Sequence, residues 1–236
     1  MNLVLLFEAD WLEPGSRVRL EGRRREHVLE IHRAKVGDEL RVGELDGAVG
    51  IGRITRLDAD ALEMEVHLTD PPPPPLDVTL VLALPRPPVL RRALISATSM
   101  GVKRIVLLNA SAVEKSFWQS RALREEALFA QCVLGLEQAR DTRMPEIVER
   151  RRFKPFVEDE LEGWIAGGRA FVAEPSAELD PLPVVDGPAL LAVGPESGWT
   201  DHEVACLESA GLERISLGLR ALRVETALPA LLARLL

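Results

Sequence analysis

Five consecutive prolines, Pro71–Pro75, constrain this 236-residue chain more than any other feature. Proline fixes φ and has no amide hydrogen, so such a run continues neither a central strand nor a helix. It favours a short polyproline II spacer, with separate structures on either side. The expected division is residues 1–70, a linker at 71–75, and residues 76–236.

The two sides have different rhythms. Before the prolines, "RVRL", "ELRVGEL", "AVGIGRI" and "ALEMEVHL" alternate in polarity and are broken by "VGD" and "LDG". That pattern predicts a small β-barrel. "MNLVLLFEADWLEPG" reads as a first strand, and "REHVLEIHRAK" as a short helix with Val28, Leu29 and Ile31 inward. After the prolines, apolar strands such as "DVTLVLAL", "RIVLLN", "AFVAE" and "ALLAVG" alternate with helical stretches. A long helix is expected through "SRALREEALFAQCVLGLEQAR" and a closing one through "VETALPALLARLL". Alternation of this kind predicts an α/β fold with a mostly parallel sheet and ligand loops at the strands' carboxyl ends.

Several function classes lose support at this point. The formal charge of −8 argues against indiscriminate nucleic-acid binding, while leaving room for a local basic face. No apolar run approaches a membrane-spanning length, and the start lacks a basic leader. The two cysteines, Cys132 and Cys206, lie far apart in apolar helical stretches, which fits reduced thiols in a cytoplasmic protein. The four histidines show no metal-ligand spacing, so no metal is expected.

Chemistry concentrates in three strand-ending loops, "VAEPSAE", "VGPESGWTDHE" and "SLGLRALRVETA". None carries the phosphate-loop or dinucleotide glycine pattern. A nucleophile elbow would need serine between the glycines, but Glu196 is central there, Ser197 is displaced by one, and no histidine follows His202. Two glycines flanking a carboxylate at a strand end still indicate backbone brought close to a ligand, whether phosphate, acyl group or nucleoside.

The second and third loops together resemble the paired signature of the bacterial small-subunit rRNA uridine-N3 methyltransferases (RsmE type) of the SPOUT superfamily. The matching residues are Gly194, Pro195, Glu196 and Gly198, then Leu217, Gly218, Arg220, Leu222, Arg223, Glu225, Thr226 and Ala227. "EHVLEIHRAKVGDELRV", "TSMGVKRIVLLNASAVEKS" and "EQARDTRMPEI" resemble further family segments. Ser96, Ser99, Ser197 and Ala221 depart from the usual family residues.

The resemblance implies a PUA-like RNA-docking barrel at the amino terminus, a carboxy-terminal domain with a deep trefoil knot, and a homodimer. It also implies S-adenosylmethionine as cofactor and uracil N3 of 16S rRNA as methyl acceptor. Another RNA site, or an RNA-binding module without catalysis, is the alternative. An adenosine suits such loops: backbone reads the base edge, glycines at 194, 198 and 218 admit the main chain, and Leu217 and Leu222 cover the faces. Pro195, Glu196 and Thr226 complete the expected cofactor set. Arg220 or Arg223 would stabilise a uracil anion and Glu225 would accept the N3 proton. Glu225 and Thr226 read equally as first-turn residues of the last helix. Arg23, Arg24, Arg25 and Arg33 would hold RNA phosphates; the competing reading is a solvated charge run.

Overall fold

The computed structural model describes residues 2–29, 34–176, 178–181 and 183–235. The chain divides into two compact units. One is Met1–Pro74 together with Val133–Met144, and the other is Pro75–Cys132 with Pro145–Leu236.

The first unit holds strands β1 (Val4–Leu6), β2 (Trp11–Glu13), β3 (Arg17–Leu20), β4 (Glu39–Glu44), β5 (Val49–Leu57) and β6 (Leu62–Asp70). They form one sheet in the order β1-β4-β5-β6-β3-β2, antiparallel except for β1 beside β4. The end strands β1 and β2 do not pair with each other. The result is an open, half-barrel sheet instead of a closed ring of strands. The amino-terminal stretch is also not one strand. A 3-10 turn at Glu8–Asp10 separates β1 from β2, and the Asp10 carboxylate fixes that turn by accepting from the Phe7 amide at 2.7 Å.

Alternation sorts the side chains of this unit. Val4, Leu6, Val18, Leu20, Val42, Ile54, Leu62 and Met64 fill one core, while Leu3, Leu5 and Val49 pack against Val133 and Leu136. Helix α1 (Gly22–His27) begins three residues before "REHVLEIHRAK". Val28 is buried and Leu29 half-buried, as expected, but Ile31, His32 and Arg33 lie outside the described residues.

The second unit is built on β7 (Leu76–Ala83), β8 (Val102–Leu108), β9 (Glu146–Arg150), β10 (Arg169–Ala173), β11 (Ala189–Val193) and β12 (Glu213–Ile215). All are parallel, in the order β12-β10-β11-β7-β8-β9. Strand β11 therefore lies between β7 and β10, both of which precede it in the chain. The helices are α2 (Pro87–Ser99), α3 (Glu125–Ala139), α4 (Phe153–Pro155), α5 (Leu161–Ile165), α6 (Asp201–Ser209) and α7 (Val224–Leu232); the last part of α3 belongs to the first unit.

Each face of this sheet has its own helices, which is why its central strands are apolar throughout. Leu80, Leu82, Leu107, Phe171, Leu191 and Val193 meet Leu90 and Leu94 of α2 and Leu228 and Leu231 of α7. Val81, Val106, Val172, Leu190 and Ala192 meet Phe156, Leu161 and Leu207. Prolines at the first two positions of α2 suit a helix start, where amide hydrogens go unpaired. The expected long helix is shorter than read. Arg121–Leu123 is a 3-10 turn capped by the Ser120 hydroxyl, and Arg124 is extended, so α3 starts at Glu125. Cys132 is buried and burial pushes its thiol up, whereas Cys206 is half-buried. Its sulfur is 3.7 Å from His202 Nε2.

Candidate active site

The carboxyl ends of β10, β11 and β12 open onto a cleft of about 790 Å³, solvent at its mouth included. Its walls are the three loops that follow those strands, together with the start of α7. Placing ligand loops at the strands' carboxyl ends is what a parallel α/β sheet does, because the crossover chain leaves the sheet there. Val193, Leu217, Leu222, Val224 and Leu231 make the lining largely apolar. Glu174, Glu196 and Arg220 are the ionisable groups in it among the described residues.

The loop after β11 is shaped by Trp199. A Cβ on Gly194 would stand 3.2 Å from the Trp199 ring and amide, so a side chain there would press on the indole. Glu196 faces backwards onto α2, where its Oε1 accepts from the Arg86 amide at 3.2 Å and from Arg86 Nε at 3.1 Å. The loop ends in a capping box on α6. Thr200 Oγ1 accepts from the Glu203 amide at 3.3 Å, and Glu203 Oε2 accepts from the Thr200 amide at 2.9 Å. Glu203 is 2% exposed, and its other oxygen accepts from the Ser111 amide at 2.6 Å. Burial alone would raise this carboxyl, but the bonds from Thr200 and Ser111 outweigh it and hold the group below its ordinary value.

The loops after β10 and β12 are joined by backbone bonds, such as the Ser216 amide to the Asp180 carbonyl at 3.0 Å, and by one buried hydroxyl. Ser216, 2% exposed, accepts from the Ser176 amide at 3.0 Å and the Gly218 amide at 2.9 Å, and donates to the Ser176 carbonyl at 2.8 Å. Gly218 has φ +101°, with open space where a Cβ would be. Its requirement for glycine is thus conformational within the protein itself.

Of the residues expected from the sequence, Gly194, Pro195, Glu196, Gly198, Leu217, Gly218, Leu222 and Arg220 all line this one cleft. Arg223, Glu225 and Thr226 do not. Arg223 is the N-cap residue of α7, and its carbonyl accepts from the Thr226 amide at 2.8 Å. Glu225 Oε1 accepts from Arg92 Nη2 of α2 at 3.0 Å. The Glu225 amide holds its carboxyl below the ordinary range; burial opposes it, and Arg92 and Arg223 add to the lowering. Such a carboxylate is a weaker proton acceptor than an unperturbed one.

The arginines expected on RNA have partners within the first unit. Arg24 is 15% exposed and forms a two-point ion pair with Asp10, its Nη2 donating to Oδ1 at 2.6 Å, and also donates to the Leu5 carbonyl. Arg25 Nε donates to the Asp58 carbonyl at 3.2 Å. Arg23 Nη2 donates to the buried Glu137 at 3.2 Å while half its side chain stays exposed. Arg33 lies outside the described residues. Sequence reasoning missed Glu174, Ser216, Arg86 and Glu203. Only Glu203 carried a local signal, the Thr-x-x-Glu spacing of a capping box.

A family model described as an RNA methyltransferase domain matches residues 72–236. Over 236 aligned residues the chain is 27% identical to ribosomal RNA small subunit methyltransferase E of Treponema pallidum, covering 96% of this chain and 87% of that one. The protein of that name from a Synechocystis species is 28% identical, covering 89% and 69%. Among solved structures, a Legionella pneumophila methyltransferase in complex with S-adenosylmethionine superposes with a TM-score of 0.76 at 20% identity, covering 100% of this chain and 97% of that one. The small-subunit methyltransferase E of Neisseria gonorrhoeae, bound to S-adenosyl methionine, gives 0.72 at 20% identity, covering 98% and 95%.

Proposed function

The chain belongs to the RNA methyltransferase domain family, and from that premise we propose that it is an S-adenosylmethionine-dependent methyltransferase of small-subunit ribosomal RNA, acting on uracil N3. The observation that carries this reading is the convergence of both signature loops on one cleft. The cleft suits the cofactor chemically: apolar walls for a flat adenine, loop backbone for its edge, and no cluster of basic side chains that would call for a phosphate. Gly194, Pro195, Gly198, Leu217, Gly218 and Leu222 would hold the nucleoside. Bound there, S-adenosylmethionine supplies an electrophilic methyl group on a sulfonium.

Methylation at N3 forms a nitrogen–carbon bond as the carbon–sulfur bond breaks, and the N3 proton must leave. Arg220, on the cleft wall, stabilises the uracil anion that develops. Arg223 is the second candidate for that role, at the N-cap of α7 and outside the cleft lining. Glu225 or solvent water takes the proton. Because Glu225 is already tied to Arg92, its larger effect is to fix α7 against α2.

The finer architecture follows the same reading. The position of β11 between the earlier strands β7 and β10 supports a trefoil knot. Leu219 is 79% exposed beside the cleft, and with Leu217 and Leu222 it offers apolar surface to a second copy in a homodimer. The half-barrel sheet of the first unit fits a PUA-like RNA-docking role, in which Arg23 keeps the exposure a phosphate contact needs. No helix among the described residues is long and apolar enough to cross a membrane, and none of their His, Cys, Asp and Glu side chains form a metal-holding group.

Mass mapping of 16S rRNA from a strain lacking this protein, and from the complemented strain, tests the function. One methyluridine should vanish and return. A methyl group lost from another position redirects the target, and an unchanged map overturns the reading.

A further inference from the structure

The cleft contains a charge that the nucleoside reading does not use. Glu174 follows β10 directly and lines the cleft, where Arg220 is the one basic side chain of the lining among the described residues; outside the lining it is ion-paired with Arg214. Its backbone is fixed, since the Glu174 amide donates to the Ile215 carbonyl at 2.9 Å and Ser216 pins the chain two residues later. The side chain is 18% exposed. Oε2 accepts from Arg214 Nε at 2.6 Å, and Oε1 accepts no hydrogen bond from the described residues. Glu196, the other acid of the lining, also has one engaged oxygen, which receives both the amide and the side chain of Arg86, but its side chain is more exposed, at 28%.

A fixed, partly desolvated carboxylate with an open oxygen has a definite preference. It attracts a cationic group, and it costs affinity for a ligand that places an anionic group against it. Adenosine is neutral and gains nothing from it. The methionyl end of S-adenosylmethionine carries a sulfonium, an ammonium and one carboxylate, a net positive charge, so its two cationic groups are where a counter-charge acts.

We propose that Glu174 is the counter-charge of the cofactor site, selecting ligands with a cationic tail over neutral nucleosides through its free Oε1. The proposal rests on the cofactor reading above. It makes Glu174 a specificity residue that acts on binding, with Arg214 holding one oxygen so that the other is presented.

Calorimetry with S-adenosylmethionine and with 5′-methylthioadenosine, which keeps the adenosine and a neutral thioether but lacks the amino-acid arm and both positive charges, tests it. Glu174→Gln should weaken S-adenosylmethionine about tenfold or more, the size of a lost charge-assisted hydrogen bond, and leave methylthioadenosine unchanged. The unchanged neutral ligand also reports that the cleft is still folded. Glu174→Asp keeps the charge on a shorter stem and should retain part of the discrimination. Equal loss of both ligands, no change in their ratio, or an Asp variant as indiscriminate as Gln overturns the proposal. Wild-type protein that binds neither ligand would instead overturn the cofactor reading of the cleft.

Discussion

Ser216 and Ser176, forty residues apart, are joined by a reciprocal pair of hydrogen bonds: the Ser216 hydroxyl accepts from the Ser176 amide at 3.0 Å and donates to its carbonyl at 2.8 Å. Two loops from non-consecutive strands thereby become one wall of the cleft. Ser216→Ala removes the hydroxyl from a buried position and strands the amides of Ser176 and Gly218. A loss of roughly 1–3 kcal/mol of stability is expected for such unpaired groups, together with weaker S-adenosylmethionine binding. Chemical denaturation and calorimetry measure both; intact affinity would show that the loops hold without the bridge.

Glu203 makes stability depend on acid. Unfolded, it titrates near its ordinary 4.5, and in the folded protein the bonds from Thr200 and Ser111 keep it lower in spite of burial. A group with a depressed folded pKa contributes fully above its unfolded value, and the contribution fades as pH falls through the folded one. Glu203→Gln should therefore be less stable than the wild type at neutral pH, with the gap narrowing as pH drops below about 4.5. Urea melts of both proteins across that range decide it. A gap independent of pH would mean the charge is irrelevant.

Gly218→Val places a β-branched residue at φ +101°, where L side chains are strained whatever the space around them. The loop must then change its path, and with it the lining supplied by Leu217 and Leu222. We expect S-adenosylmethionine affinity to fall by more than about tenfold, since a misplaced wall forfeits several contacts. Circular dichroism should report an unchanged fold. Wild-type affinity would show the loop free to readjust.

Arg220 and Glu225 should separate in kinetics. Arg220→Ala is expected to lower turnover about a hundredfold, as for other donors that stabilise a developing anion, with cofactor affinity nearly unchanged. Glu225→Gln should cost less than about tenfold, because water can replace a proton acceptor already paired with Arg92. A larger loss at Glu225 that eases at high pH would make it the base.

Arg24 and Arg23 divide between stability and RNA. Arg24→Ala leaves the buried Asp10 carboxylate without its guanidinium and should cost about 3 kcal/mol or more. Arg23→Ala should reduce the log–log salt slope of RNA binding by about 0.7–0.9 if its exposed side meets a phosphate. An unchanged slope would assign Arg23 to Glu137 alone.

Much of this protein could be read locally. Period-2 runs and unbroken apolar runs mark the strands because side chains alternate along them, and the five prolines stop β6 at Asp70 and delay β7 to Leu76. The glycine-bearing loops could be picked out because their spacing recurs in a family, so eight of the expected residues fall in one cleft. Arg23, Arg24 and Arg25 show where local reading stops. A run of three arginines looks like a basic face, yet Asp10, Asp58 and Glu137 receive them, and no local pattern announces partners so distant in the chain. Glu174, Ser216 and Arg86 were missed for the same reason. Each is an ordinary polar residue in sequence, and its role exists only once the strands pair: β10 beside β12 for Glu174 and Ser216, and β7 beside β11 for Arg86. Strand order was decided there too, since the apolar content of β11 suits any buried place in a sheet, and only packing from both faces put it between β7 and β10. The sequence by itself determined the elements and the chemistry of the loops. The tertiary structure alone decided which charges are neutralised and which remain for a ligand, because that depends on distances between residues far apart in the chain.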